Sequence, residues 1–279
     1  MGTKKKQAKL WISLVVLGLV LVYALLSNAG SLEPSGALGP TMKTLDEVEP
    51  RIPIHASDLP LTITEPGSYY LVEDVNFEPN DVHAITVECN DVTIDLMGYT
   101  IKGPDSEEMS GIYMNDCSNV EIRNGTIRDF GYNGINGAGS NSSGHRIINI
   151  HALSSGFGIY LDGCGHLVKD CTAAANIGYG IRTFQGSTVT GNTCYSNEND
   201  GIRTGYGCTV TGNTCYNNEN DGIRTDYGCT VVGNTAIGNT NYGIYAGAYC
   251  VIDQITAYGN PGSNLNYGTG CELGTNCAP

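Results

Sequence analysis

Three consecutive stretches of 21 residues decide the fold of this chain. They read GIRTFQGSTVTGNTCYSNEND at 180–200, GIRTGYGCTVTGNTCYNNEND at 201–221 and GIRTDYGCTVVGNTAIGNTNY at 222–242. Each copy contains three short β-prone pieces separated by corners rich in Gly, Asn and Asp, and no piece is long enough for a helix. A fixed period of this length is typical of a solenoid. Three strands and three corners per turn predict an all-β fold, a parallel β-helix.

The Gly-Ile pair that opens each copy also marks the repeats upstream, although with looser spacing. Counting these positions from Ile85 to a degenerate Leu265 predicts about nine coils of roughly 21–24 residues, stacked ~4.8 Å apart. Identical residues then lie above one another, and three inward ladders follow. They are an Ile ladder (Ile181, Ile202, Ile223, Ile244), a Val ladder (Val168, Val189, Val210, Val231, Ile252) and a small-residue ladder (Ala173, Cys194, Cys215, Ala236, Ala257).

A further column of identical residues contains Asn, at Asn176, Asn197, Asn218, Asn239 and Asn260. Asn suits a tight corner, because it tolerates the left-handed backbone conformation and its amide can hydrogen-bond the stacked copy. We therefore expect these residues to turn the chain between two strands.

Composition limits the possible functions. The chain has 38 Gly, 28 acidic and 14 basic residues, and a formal net charge of −14. Four of the basic residues, Lys4, Lys5, Lys6 and Lys9, lie in the N-terminal segment, and the remaining 28 acidic and 10 basic residues carry a net charge of −18. A strongly acidic body repels phosphate backbones, so no nucleic-acid partner is expected.

The N-terminal residues 1–29 read as an export signal. A basic run is followed by an apolar stretch from Leu10 to Leu26 and by Ser27-Asn28-Ala29, a small-x-small cleavage site. The apolar stretch is also long enough to remain as a membrane anchor. Either interpretation predicts a secreted or envelope location, with membrane contact only through an uncleaved segment. Residues 30–50 are predicted to be a linker, residues 51–270 the β-helix, with 61–75 covering its first coil, and residues 271–279 a C-terminal cap.

Residues beside the inward Ile point outward, since side chains alternate along a strand. This position defines a stripe of Arg and Tyr. Guanidinium forks and aromatic rings at strand spacing could bind an acidic or neutral glycan. In the alternative interpretation, Asp200, Asp221, Glu198 and Glu219 in the adjoining corners neutralise the Arg side chains. The candidate ligand-binding residues are Tyr113, Tyr160, Arg182, Arg203, Arg224 and Tyr245.

No cofactor is expected, with Ca²⁺ as the one candidate metal. The two END triplets, which finish with Asp200 and Asp221, offer oxygen ligands from adjacent coils. The histidines are scattered, and His145 and His166 are expected to be structural.

Eleven cysteines in an exported chain indicate disulfides. Cys208, Cys229 and Cys250 form an unbroken column at a corner, where stacking predicts Cα spacings within disulfide range but allows only one bond. A second predicted bridge joins Cys271 and Cys277 and closes the last coil. Zinc is not expected, because no paired Cys-x-x-Cys spacing is present.

The repeats resemble those of right-handed parallel β-helix proteins of the pectate-lyase-like superfamily, which include periplasmic copper-maturation proteins and mannuronan epimerases. EPRIPI, PGSYYL and DVTIDLMGYTI at 91–101 are similar to segments of exported bacterial β-helix proteins. The resemblance implies a single-stranded right-handed helix, on a scaffold that hosts many chemistries. It leaves three hypotheses: non-catalytic binding of extracellular polysaccharide on the outward face of the Gly-Ile strand, a polysaccharide lyase or epimerase, and a structural or adhesive surface protein.

Overall fold

Stacked parallel strands make up the described part of the chain, which in this computed structural model comprises residues 51–105 and 108–278. These residues contain 28 strands and one 3₁₀ turn, Ala56–Asp58. The strands are β1 Arg51–Ile54, β2 Leu61–Ile63, β3 Gly67–Leu71, β4 Val75–Asn76, β5 Ile85–Val87, β6 Val92–Asp95, β7 Thr100–Lys102, β8 Ile112–Asn115, β9 Glu121–Arg128, β10 Asn133–Ala138, β11 Arg146–Leu153, β12 Phe157–Cys164, β13 Leu167–Lys169, β14 Thr172–Ala174, β15 Ile181–Gln185, β16 Thr188–Thr190, β17 Thr193–Tyr195, β18 Ile202–Thr204, β19 Thr209–Thr211, β20 Thr214–Tyr216, β21 Ile223–Thr225, β22 Thr230–Val232, β23 Thr235–Ile237, β24 Tyr242–Ala246, β25 Val251–Asp253, β26 Thr256–Tyr258, β27 Ser263–Tyr267 and β28 Glu272–Leu273.

The strands form a right-handed parallel β-helix, as predicted, with about 11 turns rather than nine. One side is a ten-stranded sheet, here called the Gly-Ile sheet, with the order β2-β5-β8-β10-β12-β15-β18-β21-β24-β27. The other two sides belong to an 18-stranded sheet. The count of nine is too low because β1 and β2 lie in turns that precede Ile85 and contain no Gly-Ile pair, and β28 continues the stack after Leu265.

The predicted apolar ladders are confirmed by the strand register. Ile181 lies beside Ile202, Ile202 beside Ile223 and Ile223 beside Ile244, and all four side chains have no exposed surface. The Val and small-residue ladders on the other two sides are equally buried. Each buried Ile contributes ~1.5–3 kcal/mol, so the regular stacking is the main source of stability and fixes the position of every outward residue.

The Asn column forms the predicted amide ladder, but its role in the corner differs from the expectation. Asn218 Oδ1 accepts hydrogen bonds from the backbone N–H (3.2 Å) and the Nδ2 (2.9 Å) of Asn197, one coil earlier. The expectation that Asn itself adopts the left-handed conformation is wrong. That conformation belongs to the preceding residue, for example Ser196 and Asn217, both with φ of 53°. The Asn side chains point inward because they satisfy corner N–H groups that no strand reaches.

The predicted signal or anchor (1–29) and linker (30–50) lie outside the described residues. Among the helices within the described residues, none has the length and apolar character needed to cross a membrane. Residues 61–75, predicted to cover the first coil, instead contain β2 and β3, which stack in register with β5 and β6.

Candidate functional site

The outward stripe of the Gly-Ile sheet brings the six candidate residues into one continuous column. Strand register places Tyr113 beside Asn136, Asn136 beside Tyr160, and Tyr160 beside Arg182. The column then continues with Arg203, Arg224 and Tyr245. The structure thus places these side chains in the predicted order on one face, although Asn136 is itself buried.

Two of the three stripe arginines are paired with carboxylates from the preceding corner. Arg203 Nη1 lies 3.6 Å from Asp200 Oδ2, and Arg224 Nη1 lies 3.2 Å from Asp221 Oδ2. Both carboxylates are fully buried, whereas about a third of each Arg side chain is exposed, at 34% and 33%. The alternative interpretation, in which corner acids neutralise the arginines, therefore describes these two coils.

Arg182 has a different environment. Its guanidinium carbon lies 5.7 Å from the ring centre of Tyr160, 5.2 Å from that of Tyr179 and 5.1 Å from that of Phe184. Tyr179 stands 21 residues before Asp200 and occupies the same corner position. Within residues 51–105 and 108–278, Arg182 forms no ion pair. The guanidinium of Arg182 therefore lies against aromatic rings, and no described carboxylate is paired with it.

One depression is lined by this arginine, and a second depression shares Phe184, Gly205 and Asp226 with it. We call the two together the Arg182 cleft. The smaller, about 60 Å³, is lined by Arg182, Arg203, Phe184 and Asp226. The larger, about 280 Å³, shares Phe184 and Asp226 and adds Asp162, Gln185 and Tyr206. The cleft thus combines a guanidinium, aromatic surface and two carboxylates, a mixture that suits a polar ligand with apolar faces.

Several residues that contact Arg182 or line the Arg182 cleft are not among the predicted site residues. Tyr179, Phe184 and Asp226 belong to corners or strand ends, where the repeats differ in sequence. A signal for Tyr179 existed, because it aligns with Asp200 and Asp221 in the 21-residue period. Phe184 aligns in the same way with Gly205 and Asp226.

The two aspartates proposed as Ca²⁺ ligands are hydrogen-bonded within the corners. Asp200 Oδ1 accepts hydrogen bonds from the backbone N–H of Asp221 (3.1 Å) and from Asn220 Nδ2 (2.7 Å). Asp221 Oδ1 is bonded in the same way by Tyr242 N–H and Asn241 Nδ2. Among the described residues, no group of three or more His, Cys, Asp or Glu side chains could hold a metal ion.

Burial perturbs one of these carboxyl groups. Desolvation raises the pKa of Asp200 to about 6 from its usual 3.8. The hydrogen bond from Asp221 N–H and the attraction of Arg203 and Arg224 lower this pKa but do not offset the desolvation. Asp200 Oδ2 is buried and has no hydrogen-bond partner, because Arg203 is too far away. The Asp200 carboxylate is therefore held in an unfavourable environment at neutral pH.

All eleven cysteines are free thiols, so neither predicted bridge is formed in the structure. Cys208, Cys229 and Cys250 form the predicted column, and Cys271 extends it. Each Sγ accepts the backbone N–H of the equivalent residue one coil earlier, as Cys229 does from Cys208 at 3.3 Å. Each thiol also donates to a carbonyl oxygen, as Cys271 does to Gly247 at 3.1 Å. The thiols thus act in this corner as the Asn amides do in the others.

Upstream, the same column continues with Ser187, His166 and His145. His166 Nδ1 accepts the His145 N–H, and the two rings stack at 5.1 Å. Burial lowers the pKa of His145 to about 3, so this ring is neutral at neutral pH. These contacts agree with the structural role expected for both histidines.

Comparison with known proteins identifies the repeats. A family model described as "Right handed beta helix region" matches residues 62–187 and 110–261. No curated protein sequence matches the chain.

Solved structures with the same fold differ widely in sequence. The Dettilon tailspike protein is similar with a TM-score of 0.61 and 16% identity, over 81% of this chain and 54% of its own. The A-module of a mannuronan C-5 epimerase from Azotobacter vinelandii has a TM-score of 0.50 and 12% identity, over 81% of this chain and 87% of its own. The chain spans about half the length of the tailspike protein. At these identities the likeness establishes the fold alone.

Proposed function

The chain belongs to the right-handed β-helix family, and from that premise we propose that it is an exported protein that binds extracellular polysaccharide, without cleaving it, on the outward face of the Gly-Ile sheet. The observation that carries the proposal is Arg182, a guanidinium with three aromatic contacts and no carboxylate partner among the described residues. The named activity of the epimerase relative, which acts on mannuronan, supports a polysaccharide ligand.

Arg182 is the group in the Arg182 cleft that favours an acidic sugar, and it acts against the repulsion from Asp162 and Asp226, which line the same cleft. A guanidinium binds a carboxylate through two parallel hydrogen bonds, and such charge-assisted bonds contribute ~1.5–3 kcal/mol each. The rings of Tyr160 and Phe184 offer apolar surface to the C–H faces of a sugar. Arg203 is less available, because Asp200 already lies beside it.

The net charge of −14 opposes binding of a polyanion at long range. Attraction to an acidic glycan must therefore arise from direct contact with Arg182. Because the Debye length is ~10 Å at 0.1 M salt, moderate salt screens the distant repulsion more than the contact. We expect affinity to fall less steeply with salt than for a basic polyanion-binding surface.

A lyase or epimerase is the second candidate function, favoured by Asp162 and Asp226, two carboxylates that line the larger depression of the Arg182 cleft. Incubation with polymannuronate and polygalacturonate separates these outcomes. A lyase releases unsaturated uronate ends, whereas an epimerase changes the uronate composition without shortening the chain. Neither product is expected from a binding protein.

Titration calorimetry of the full-length chain with oligomannuronate tests the proposal. Arg182→Ala should weaken binding at least tenfold, equivalent to ~1.4 kcal/mol or more. Arg224→Ala is the matched control, because it removes an arginine already paired with Asp221 on the same stripe, and we expect less than a threefold change. Equal effects of the two substitutions would contradict the role of Arg182. Absence of binding to any glycan would favour a structural or adhesive protein.

A further inference from the structure

A second cleft lies on the same outward face, toward the N-terminal end of the Gly-Ile sheet. Its volume of about 350 Å³ exceeds that of the larger depression near Arg182. Its lining includes the apolar residues Pro60, Val82 and Met109 and the polar residues Asp81, His83 and Thr86. Apolar walls with a few convergent polar groups are typical of small-molecule sites. We call this depression the His83 cleft.

The imidazole of His83 is fixed in one orientation. Its Nδ1 accepts the backbone N–H of Ser110 at 3.0 Å, so in the neutral ring the proton is on Nε2. The ring stacks on Tyr113 with centres 4.4 Å apart and an angle of 21° between the planes. Burial lowers the pKa of His83. At neutral pH the ring is therefore uncharged and Nε2–H is a hydrogen-bond donor.

The His83 cleft differs from the Arg182 cleft in that no guanidinium or ammonium group is among the described residues that line it. Asp81 is the one charged side chain at neutral pH among the described residues that line it. A carboxylate accepts hydrogen bonds from sugar hydroxyls but repels the carboxylate of a uronate. His83 Nε2–H supplies a donor, and Pro60, Val82 and Met109 offer apolar surface to C–H groups.

We propose that the His83 cleft binds a neutral sugar residue of the polysaccharide whose acidic residue contacts Arg182. This inference rests on the proposed function. Thr86 and Arg182 occupy the same outward column, four strand spacings apart from β5 to β15, which corresponds to ~19 Å at ~4.8 Å per spacing. One extended glycan can therefore contact both clefts, and the partner is a heteropolysaccharide with neutral and acidic sugars.

Titration of the full-length chain with two sets of probes tests the inference. The neutral probes are the hexasaccharides of cellulose, mannan and xylan, and the acidic probe is oligomannuronate. His83→Phe keeps an aromatic ring on Tyr113 but removes the Nε2–H donor. We expect it to weaken binding of at least one neutral hexasaccharide about tenfold, and to change oligomannuronate binding less than twofold. Arg182→Ala should do the reverse.

Asp81→Lys provides a second variant that does not depend on His83 packing, because Asp81 is exposed. It should weaken the neutral hexasaccharide severalfold and add a second binding event for oligomannuronate. Thermal melting of each variant checks that the fold is intact.

The possible results separate the two proposals. If oligomannuronate binds through Arg182 but no neutral hexasaccharide binds, the inference is overturned and the proposed function stands. The same conclusion follows if a neutral hexasaccharide binds with an affinity that neither His83→Phe nor Asp81→Lys changes. If neither class of probe binds, the proposed function fails and the inference fails with it. Both proposals are supported if each of the two variants loses binding of the neutral hexasaccharide while His83→Phe still binds oligomannuronate.

Discussion

The coil of Arg182 and the coil of Arg203 share one strand sequence and yet differ in whether a carboxylate is paired with the arginine. Both begin with Gly-Ile-Arg-Thr, and the two Ile side chains lie side by side in the core. Three residues before the arginine, however, the first coil has Tyr179 and the second has Asp200. One corner residue therefore determines whether the guanidinium stays available to a ligand.

The comparison shows where function can arise in a repetitive fold. The inward residues of neighbouring coils must match, because each side chain packs on its copies above and below. Corner residues such as Tyr179 are released from that constraint and can differ from coil to coil. Candidate binding residues in such a protein are best sought where the repeats disagree, next to positions where they agree.

The largest effect should come from breaking the core that the two coils share. Ile202→Asp places a carboxylate in the Ile ladder, where the wild-type side chain has no exposed surface. It removes ~1.5–3 kcal/mol of apolar burial and adds the cost of an unpaired buried charge. We expect the loss of cooperative unfolding, measured by circular dichroism during heating.

Thr209→Asp is the matched control for this substitution. Thr209 is half-buried and outward-facing in the same coil, between Thr188 and Thr230 of the neighbouring coils. A new charge at this position can reach water, and we expect a change within ~1 kcal/mol. Similar destabilisation by both substitutions would contradict the distinction between inward and outward positions.

A smaller effect is expected from the buried carboxyl group of Asp200, which should make the free energy of unfolding depend on pH. The pKa of Asp200 in the folded protein, about 6, lies above its usual value of 3.8. Between these two pH values the folded state therefore binds more protons than the unfolded state. The stabilisation from protonation is complete below pH ~4 and is lost as the pH rises through ~6. The shift corresponds to ~3 kcal/mol. The free energy of unfolding of the wild type, measured against Asp200→Asn by urea titration, should therefore decrease by up to that amount from pH 4 to 7.

Glu198→Gln is the comparison for this experiment, since Glu198 is an exposed carboxylate in the same corner. If its substitution alters the pH profile as much as Asp200→Asn does, burial of Asp200 is not the cause. No equivalent carboxyl exists beside Arg182, because Tyr179 occupies that corner position.

Much of the fold follows from the 21-residue period, because a period and the alternation of side chains along a strand together fix which residues face inward. This is why the Ile ladder and the order of the stripe from Tyr160 to Tyr245 could be predicted. Extending the period by one step from Cys250 also leads to Cys271. The sequence therefore already indicated that Cys271 belongs to the column of thiols. The Cys271–Cys277 bridge was predicted from the closeness of two cysteines in the chain, which carries no such constraint.

The clefts could not be predicted in this way. The Gly-Ile positions are 21 residues apart downstream of Ile181, but 27 residues separate Ile85 from Ile112. The additional residues form irregular corners, and the backbone path of a corner determines the position of His83. Near Arg182, the contacts come from the rings of three different coil positions, Tyr160, Tyr179 and Phe184, and the period does not show that these rings converge on one guanidinium.

The smallest expected effect tests the corner residue directly. Tyr179→Asp gives the coil of Arg182 the acidic corner of the coil of Arg203. The new carboxylate should pair with Arg182, as Asp200 does with Arg203 at 3.6 Å, and the ring contact at 5.2 Å is lost. We expect calorimetry to show affinity for oligomannuronate reduced about tenfold, equivalent to ~1.4 kcal/mol.

Tyr179→Phe separates the charge of the corner from its ring. This substitution keeps the aromatic contact with Arg182 and introduces no carboxylate, so affinity should stay within twofold of the wild type. Combining Tyr179→Asp with Arg182→Ala should weaken binding no further than Arg182→Ala alone, because both changes remove the same free guanidinium. Additive losses would mean that Tyr179 contacts the glycan itself, and the difference between the two coils would then be one of shape and not of charge.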